Sequence, residues 1–457
     1  MPSGIFITHL ENVRTAQEAT YGIRSTDACQ RDAFLHVYDD PEPALNNPYT
    51  STQKTAETFD WYQEVKARTS TLKFLGRGWH PDKQKYTNED QQRHLDTILS
   101  MIDTARTQPS PSGTAAGVPH RQDDRSSRNI ESLTSIIQES PNGLERLIFD
   151  IASRDLSKEP SRMTRSVSNS LLDNQRSAAA RRLHTLLGPA HQDRHVRKHA
   201  GRKYVYDWSL TTEANDYGPF LKDGSGRVDW TLLEAAMTCI ANNFDISVEG
   251  RLSAPVGLHY SIPYRTVIDS TKPEDWAGVT GKWLGTYAFL DYASLLAWNS
   301  GLMGHDVGFP TLTDLSNEPE ACGDLLMMDL KLDDSLRTDP VLRSNVPFSD
   351  KLPPLYFKGT SRGSEYPNHP VTTIKGFCAL VVGGREVKWK FVVEYHGVDQ
   401  WQLEGVQPGG IRSGGIFGLW SNVEHEPNGP VGPFCYYPHS LCKSTSVVLM
   451  SNQDELE

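Results

Sequence analysis

At 457 residues the chain exceeds one ordinary core, so two domains, or three with linkers, are expected. With 57 acidic against 46 basic residues and a net charge of −11, it lacks the overall basic field of a nucleic-acid or membrane-surface binder. Six scattered cysteines without a CxxC pair argue against a zinc site and a disulfide framework, and no apolar run reaches the about 18 residues of a membrane span.

The first 25 residues include Glu11, Arg14, Glu18 and Arg24 with no long apolar run, so no secretory signal is expected. An intracellular protein of cytoplasm or nucleus with reduced, mostly buried thiols is the resulting expectation. Residues 57 to 75 place Trp61, Val65, Leu72, Phe74 and Leu75 at roughly helical spacing behind Thr58 or Asp60 as a cap. From Asn88 to Thr104, Leu95, Ile98, Leu99 and Ile102 form a second helical stripe. Residues 107 to 129 are Pro, Ser, Gly and charge with almost nothing to bury, which predicts a disordered linker after a helical region 1 to 106. Helical periodicity returns in Ile130 to Ile137, Leu144 to Ile151 and Ser177 to Leu187, weakly reminiscent of armadillo-type pairs, and a Ser/Arg-rich mobile segment is predicted over 157 to 170. From Arg176 to Lys203 eight Lys or Arg face one acid, Asp193, which reads as a solvated basic helix face and not as a nucleic-acid site, since no motif supports one. Residues 228 to 243 predict a helix burying Leu232, Ala235, Ala236, Cys239 and Ile240, the last of a helical region 130 to 250.

After Pro273 the period changes to two. Trp283, Gly285, Tyr287 and Phe289 alternate with Leu284, Thr286, Ala288 and Leu290, and Leu326 to Leu332 repeats the pattern. Val387, Trp389, Phe391, Val393 and Tyr395 define one buried face against Lys388, Lys390, Glu394 and His396 on the other. Gly383-Gly384 and Gly397 to Asp399 turn this strand into hairpins with Ile374 to Val382 and Trp401 to Val406. With Leu355 to Gly359, Ile416 to Trp420 and Pro433 to Tyr437 the count is about eight strands over 275 to 437, followed by a tail 438 to 457. The fold class is therefore α+β: a helical N-terminal half, then an antiparallel, about eight-stranded β-barrel of lipocalin-like kind, or a β-sandwich.

Several motifs fail on their chemistry. Asp223 to Asp229 resembles the middle of an EF-hand loop, but Leu221 and Leu232 fall where calcium needs oxygen donors, and Asp229 fits better as an N-cap. His191, His195 and His199 share helical spacing without an acidic or cysteine ligand and amid positive charge, so no metal is expected. The glycine-rich stretch 409 to 415 lies between strands without a Walker order, so it reads as a rim loop bearing Arg412 and Ser413, or as a simple bulge. There is no GxSxG elbow or HExxH, and the chain reads as a non-enzyme that needs no cofactor.

Arg202-Lys-Tyr-Val-Tyr206, Asn215-Asp-Tyr-Gly-Pro-Phe220, Asp275-Trp-Ala-Gly-Val-Thr-Gly-Lys-Trp283, Pro354-Leu-Tyr-Phe357, Glu404-Gly-Val-Gln407, Gly418-Leu-Trp420 and Gly432-Pro-Phe434 follow one another in an order that resembles large fungal F-box proteins. In that family an F-box precedes a helical region and a β-rich C-terminal domain, and the helix at Trp61, with Lys66 and Arg68, looks like the basic helix behind the box. The resemblance implies a substrate adaptor of an SCF-type ubiquitin ligase, docked to a Skp1-type adaptor and a cullin, with a target protein held by the β domain. Residues 4 to 40 lack the Leu-Pro opening and leucine run of an F-box, so Skp1 docking is the part of this expectation they do not carry. Candidate ligand contacts are Trp283, Tyr287, Trp401, Arg412, Ser413 and Trp420, because aromatic anchors bury large area at low entropy cost, whereas for each Trp alone packing is the commoner role. A barrel for a small lipophilic molecule and an interaction protein without a pocket are the alternatives.

Overall fold

A computed structural model describes residues 27–46, 56–76, 87–106, 127–140, 144, 148, 178–188, 194–249, 251–261, 275–303, 314–315, 317–363 and 371–444. Two compact units divide the chain, one of residues 1–108 and 120–184 and one of residues 109–119 and 185–457. The predicted segments 4 to 26, 107 to 126 and 157 to 170, and most of 438 to 457, lie outside the described residues.

In the first unit α1 (Asp27–Val37) precedes the expected helical stripes, which become α2 (Trp61–Gly76), α3 (Asn88–Asp103) and α4 (Arg128–Glu139). Asp60 accepts from the Gln63 amide at the start of α2, and Thr87 with Asp90 closes a reciprocal capping box at α3, so two chain entries are fixed by side chains. Arg68 is fully buried, with its guanidinium over the rings of Phe34 and Tyr38 and 3.4 Å from Glu64. Asp39 accepts from the Arg106 amide at 2.8 Å and from the Arg128 amide at 2.9 Å. One carboxylate thus holds Arg106 and Arg128 together, so the helices on both flanks of residues 107 to 126 share one compact unit.

The second unit contains the barrel. Eight strands run β1 (Gly281–Leu290), β2 (Leu326–Leu332), β3 (Leu355–Gly363), β4 (Thr372–Leu380), β5 (Val387–Tyr395), β6 (Val398–Gln407), β7 (Ile416–Asn422) and β8 (Val431–Pro438). Each pairs antiparallel with its neighbour, and β8 returns to β1 in the register Tyr436 to Gly285, which closes the barrel and rules out the sandwich. Pleating then sends Trp283, Phe357, Trp389, Phe391 and Phe434 inward, where Trp389 stacks on Phe391 at 5.7 Å and meets Trp283 at 5.2 Å. These rings fit because glycines face them. A Cβ on Gly376 would stand 2.6 Å from Phe357 Cζ, and one on Gly405 2.8 Å from Phe434 Cζ.

The helical cover is larger than the sequence suggests. Asp229 caps α6 (Trp230–Ser247), accepting from the amides of Thr231 and Leu232, and α6 packs on β1, β7 and β8 with buried residues on every side. Helix α5 (Arg194–Val205) packs on α6, so both belong to the barrel unit and the boundary falls near residue 184, not after 250. Helix α7 (Tyr292–Met303) adds Leu295 and Trp298 to the core formed with Val205, Tyr206 and Leu232. The supposed solvated basic face is partly interior: Arg202 donates to the carbonyls of Leu315 and Glu318, and Lys198 pairs with Glu320 at 2.6 Å. Burial is possible because each cation meets oxygen. Residues 443–444 pair with 252–253, so the tail begins as structure and not as a free end.

A second correction concerns β5. Part of the face expected in solvent is buried too, since Lys388 is 1% exposed and Lys390 4%, whereas Glu394 is half-buried and His396 exposed. Segments 211–220 and 336–348 cover it. Lys388 Nζ contacts Asp216, lies 2.9 Å from Ser344 Oγ and 3.5 Å from Glu404, and stands over the Phe220 ring; Lys390 reaches Glu404 at 3.4 Å and the Arg343 carbonyl at 2.9 Å. Two cations between two carboxylates let charge sit against a barrel wall. The stretch Tyr217 to Trp230 is packed accordingly: Phe220 is buried, Trp230 joins the same core, and Tyr217 stacks on His425.

Candidate recognition site at the barrel mouth

The barrel's two ends differ in what they enclose. At the end where β1, β3 and β5 finish, a cavity of about 290 Å³ opens, lined by Tyr287, Val393, Tyr395, Trp401, Trp420 and Tyr436 among others. Strand alternation explains the set: Tyr287 is two residues beyond inward Gly285, Tyr395 two beyond Val393, and Trp401 two before Leu403, so each enters from one inner face. The plug of Trp283, Phe357, Trp389 and Phe391 forms the floor. At about 30 Å³ per water the space equals about ten waters, room for one long side chain or a small molecule.

Ring geometry makes this a cup with walls on several sides. Trp401 and Trp420 stand 5.3 Å apart at 90°, and Tyr287 meets Trp420 at 6.0 Å and 83°. Trp420 is fixed by its indole Nε1 donating to the Ala288 carbonyl at 3.0 Å. Among the described residues no hydrogen bond occupies the hydroxyls of Tyr287, Tyr395 or Tyr436, so three phenol groups without partners join Ser361 and Thr372 in a space whose other walls are aromatic and aliphatic. Burial pushes all three phenols above their usual range, with Tyr395 and Asp324 adding to the effect on Tyr287. They are neutral hydroxyls that donate or accept, not phenolates. Asp324 and Arg362, both exposed, stand at the rim.

Of the expected contacts, Tyr287, Trp401 and Trp420 come together here. Trp283 belongs to the floor, where its indole donates to the Val279 carbonyl at 3.0 Å. Arg412 and Ser413 lie at the opposite end of the barrel, in a separate recess of about 300 Å³ that Trp283 lines from the other side of the floor, with Asp275, Lys282 and His439, so these three expected contacts come together there. There Arg412 adopts φ 55° and donates to the carbonyls of Asp275 and Trp276, so it works as a clamp on that turn. Residues missed in the sequence are Tyr395, Tyr436, Asp324 and Arg362. Tyr395 and Tyr436 carried a findable signal, as inward positions of recognised strands.

Among the described residues no group of three His, Cys, Asp or Glu is arranged for a metal ion, and no helix is long and apolar enough to cross a membrane. His191 and the side chain of His195 lie outside the described residues. All six cysteines are free. Comparison with protein-family models, with curated proteins and with solved structures finds no match.

Proposed function

We propose that the protein is a non-enzymatic recognition module whose barrel mouth binds a segment of a target protein, and that it acts as a substrate adaptor of the F-box type. The observation that carries the reading is the aromatic cup, in which Tyr287, Tyr395, Trp401 and Trp420 surround an open cavity over a filled floor. Rigid, partly exposed aromatic rings with polar tips are what interface hot spots use, because they bury area with little rotamer entropy to lose. A fully packed barrel would leave no such space. The order of motifs from Arg202 to Tyr437 supports the F-box assignment, and docking of a Skp1-type adaptor and a cullin belongs to the same proposal.

A small lipophilic ligand is the second reading, favoured by the cavity's size and aromatic walls. Selection of a random peptide library on the full chain tests the first against it. Peptides that bind, and lose at least tenfold in affinity on Tyr395→Ala or Trp401→Ala with the melting transition retained, support the reading. Selected peptides indifferent to both variants overturn it. Failure to co-purify a Skp1-type adaptor or cullin from cells removes the ligase assignment while leaving recognition to the peptide result.

A further inference from the structure

We infer that the group seated in the mouth is a compact alkylammonium cation of the bound segment, held in an aromatic cage with Asp324 as counter-charge. This rests on the recognition reading above and narrows it to one chemistry. A greasy side chain needs only apolar area, and flat stacking or a random tumble of rings would serve. The cup instead sets ring planes edge to face, Trp401 to Trp420 at 90° and Tyr287 to Trp420 at 83°, with Tyr395 and Tyr436 also lining it. Faces of indole and phenol carry the negative lobe of the ring quadrupole, so a space lined by five such rings favours a cation over a neutral group of equal shape. Among the described residues no lysine or arginine of the chain lies over any of these five rings, whereas Arg31, Arg68 and Lys388 do occupy such positions elsewhere.

Two further observations point the same way. The hydroxyls of Tyr287, Tyr395 and Tyr436 are without partners among the described residues, and their oxygens accept from an N–H of a protonated amine or meet the polarised C–H groups of a methylated one. Asp324 lines the same cavity close enough to bear on the Tyr287 phenol, and the chain's net charge of −11 favours approach of a cationic partner. Arg362 is the opposing charge. It alternates with inward Ser361 and Gly363 on β3, so its side chain leaves the strand on the outer side, and the residue is exposed where it borders the cavity.

The probe is choline against its neutral carbon isostere 3,3-dimethylbutan-1-ol, titrated into the full chain by tryptophan fluorescence and calorimetry. Choline is expected to bind at least tenfold more tightly, and Asp324→Asn, an exposed position, is expected to weaken choline severalfold without moving the isostere. Equal binding of the two probes, or tighter binding of the isostere, overturns the inference. The source is told by peptides that carry the cation as a lysine side chain, as trimethyl-lysine or as a free N-terminal amine, each beside its acetylated or carbon-isostere control. If library peptides bind through Tyr395 and Trp401 but neutral and charged members of every pair are equal, recognition stands and the cation fails.

Discussion

Lys388→Met removes one charge from the cluster beneath segment 211–220 at almost constant volume. In the native fold Lys388 lies 3.5 Å from Glu404, a separation worth roughly 5 kcal/mol of gross attraction at an effective dielectric of about 20, and it contacts Asp216 more closely still. Burial pushes the Asp216 carboxyl up, and Lys388 with hydrogen bonds from Ser344 and Asn345 more than offsets it, leaving the group below its usual range. Without Lys388, Glu404 keeps Lys390 at 3.4 Å while Asp216 keeps only the neutral donors of Ser344, Asn345 and Val346. Breaking a buried pair from one side costs about 3–5 kcal/mol, a large part of a total stability of about 5–15 kcal/mol. Eight of the ten tryptophans lie in residues 185–457, so urea unfolding followed by tryptophan fluorescence reports chiefly on the barrel unit. The stranded carboxylates acquire raised values in the fold, so the loss should be smaller at pH 5 than at pH 8. A loss below about 1 kcal/mol, the same at both pH values, would refute the assignment of this cluster as a buried ionic lock.

Gly405→Val places a side chain against Phe434 across the barrel and should cost about 1–3 kcal/mol by overpacking, read as a fall in the barrel unit's thermal midpoint. Burial, and then the charge of Lys390, lowers His425 to about 4, so the imidazole is neutral in the fold and protonates near pH 6.5 once unfolded. Its contribution is complete above about pH 6.5 and is lost as pH falls towards about 4; His425→Gln should flatten stability across that window, and an unchanged pH profile would contradict this. Limited proteolysis should spare Lys222 and Arg227, because residues 217–230 are pinned by Phe220 and the Phe220–Val228 bridge, and early cutting there would count against the packing.

The strands were legible because their chemistry is local. Alternation marked every inward residue of β5 from Val387 to Tyr395, and Gly383-Gly384 and Gly397 marked its ends. What local patterns could not show was the partner of a charge: Lys388 looks like a solvent-facing residue until Asp216, 172 positions earlier, is brought to it. Helix α7 was missed for the opposite reason. YASLLAWNSGLM is apolar around most of its circumference and has no polar stripe, although Asp291 accepts from the Ala293 and Ser294 amides as an N-cap and was there to be read. At the site, residue type nominated Trp283 and Trp420 equally. Only closure of the barrel places Trp420 at the mouth and leaves Trp283 beneath the floor, in the opposite recess with Arg412 and Ser413.

Amide hydrogen exchange of the full chain, with and without a saturating library-selected peptide, tests the mouth as the recognition site most directly. Slowed exchange is expected at the mouth, in Tyr287 to Leu290, Val393 to Leu403 and Trp420 to Asn422, with no change at the opposite end. Slowing confined to Thr280 to Trp283 and Gln407 to Ser413 would place the ligand at the opposite end and contradict it.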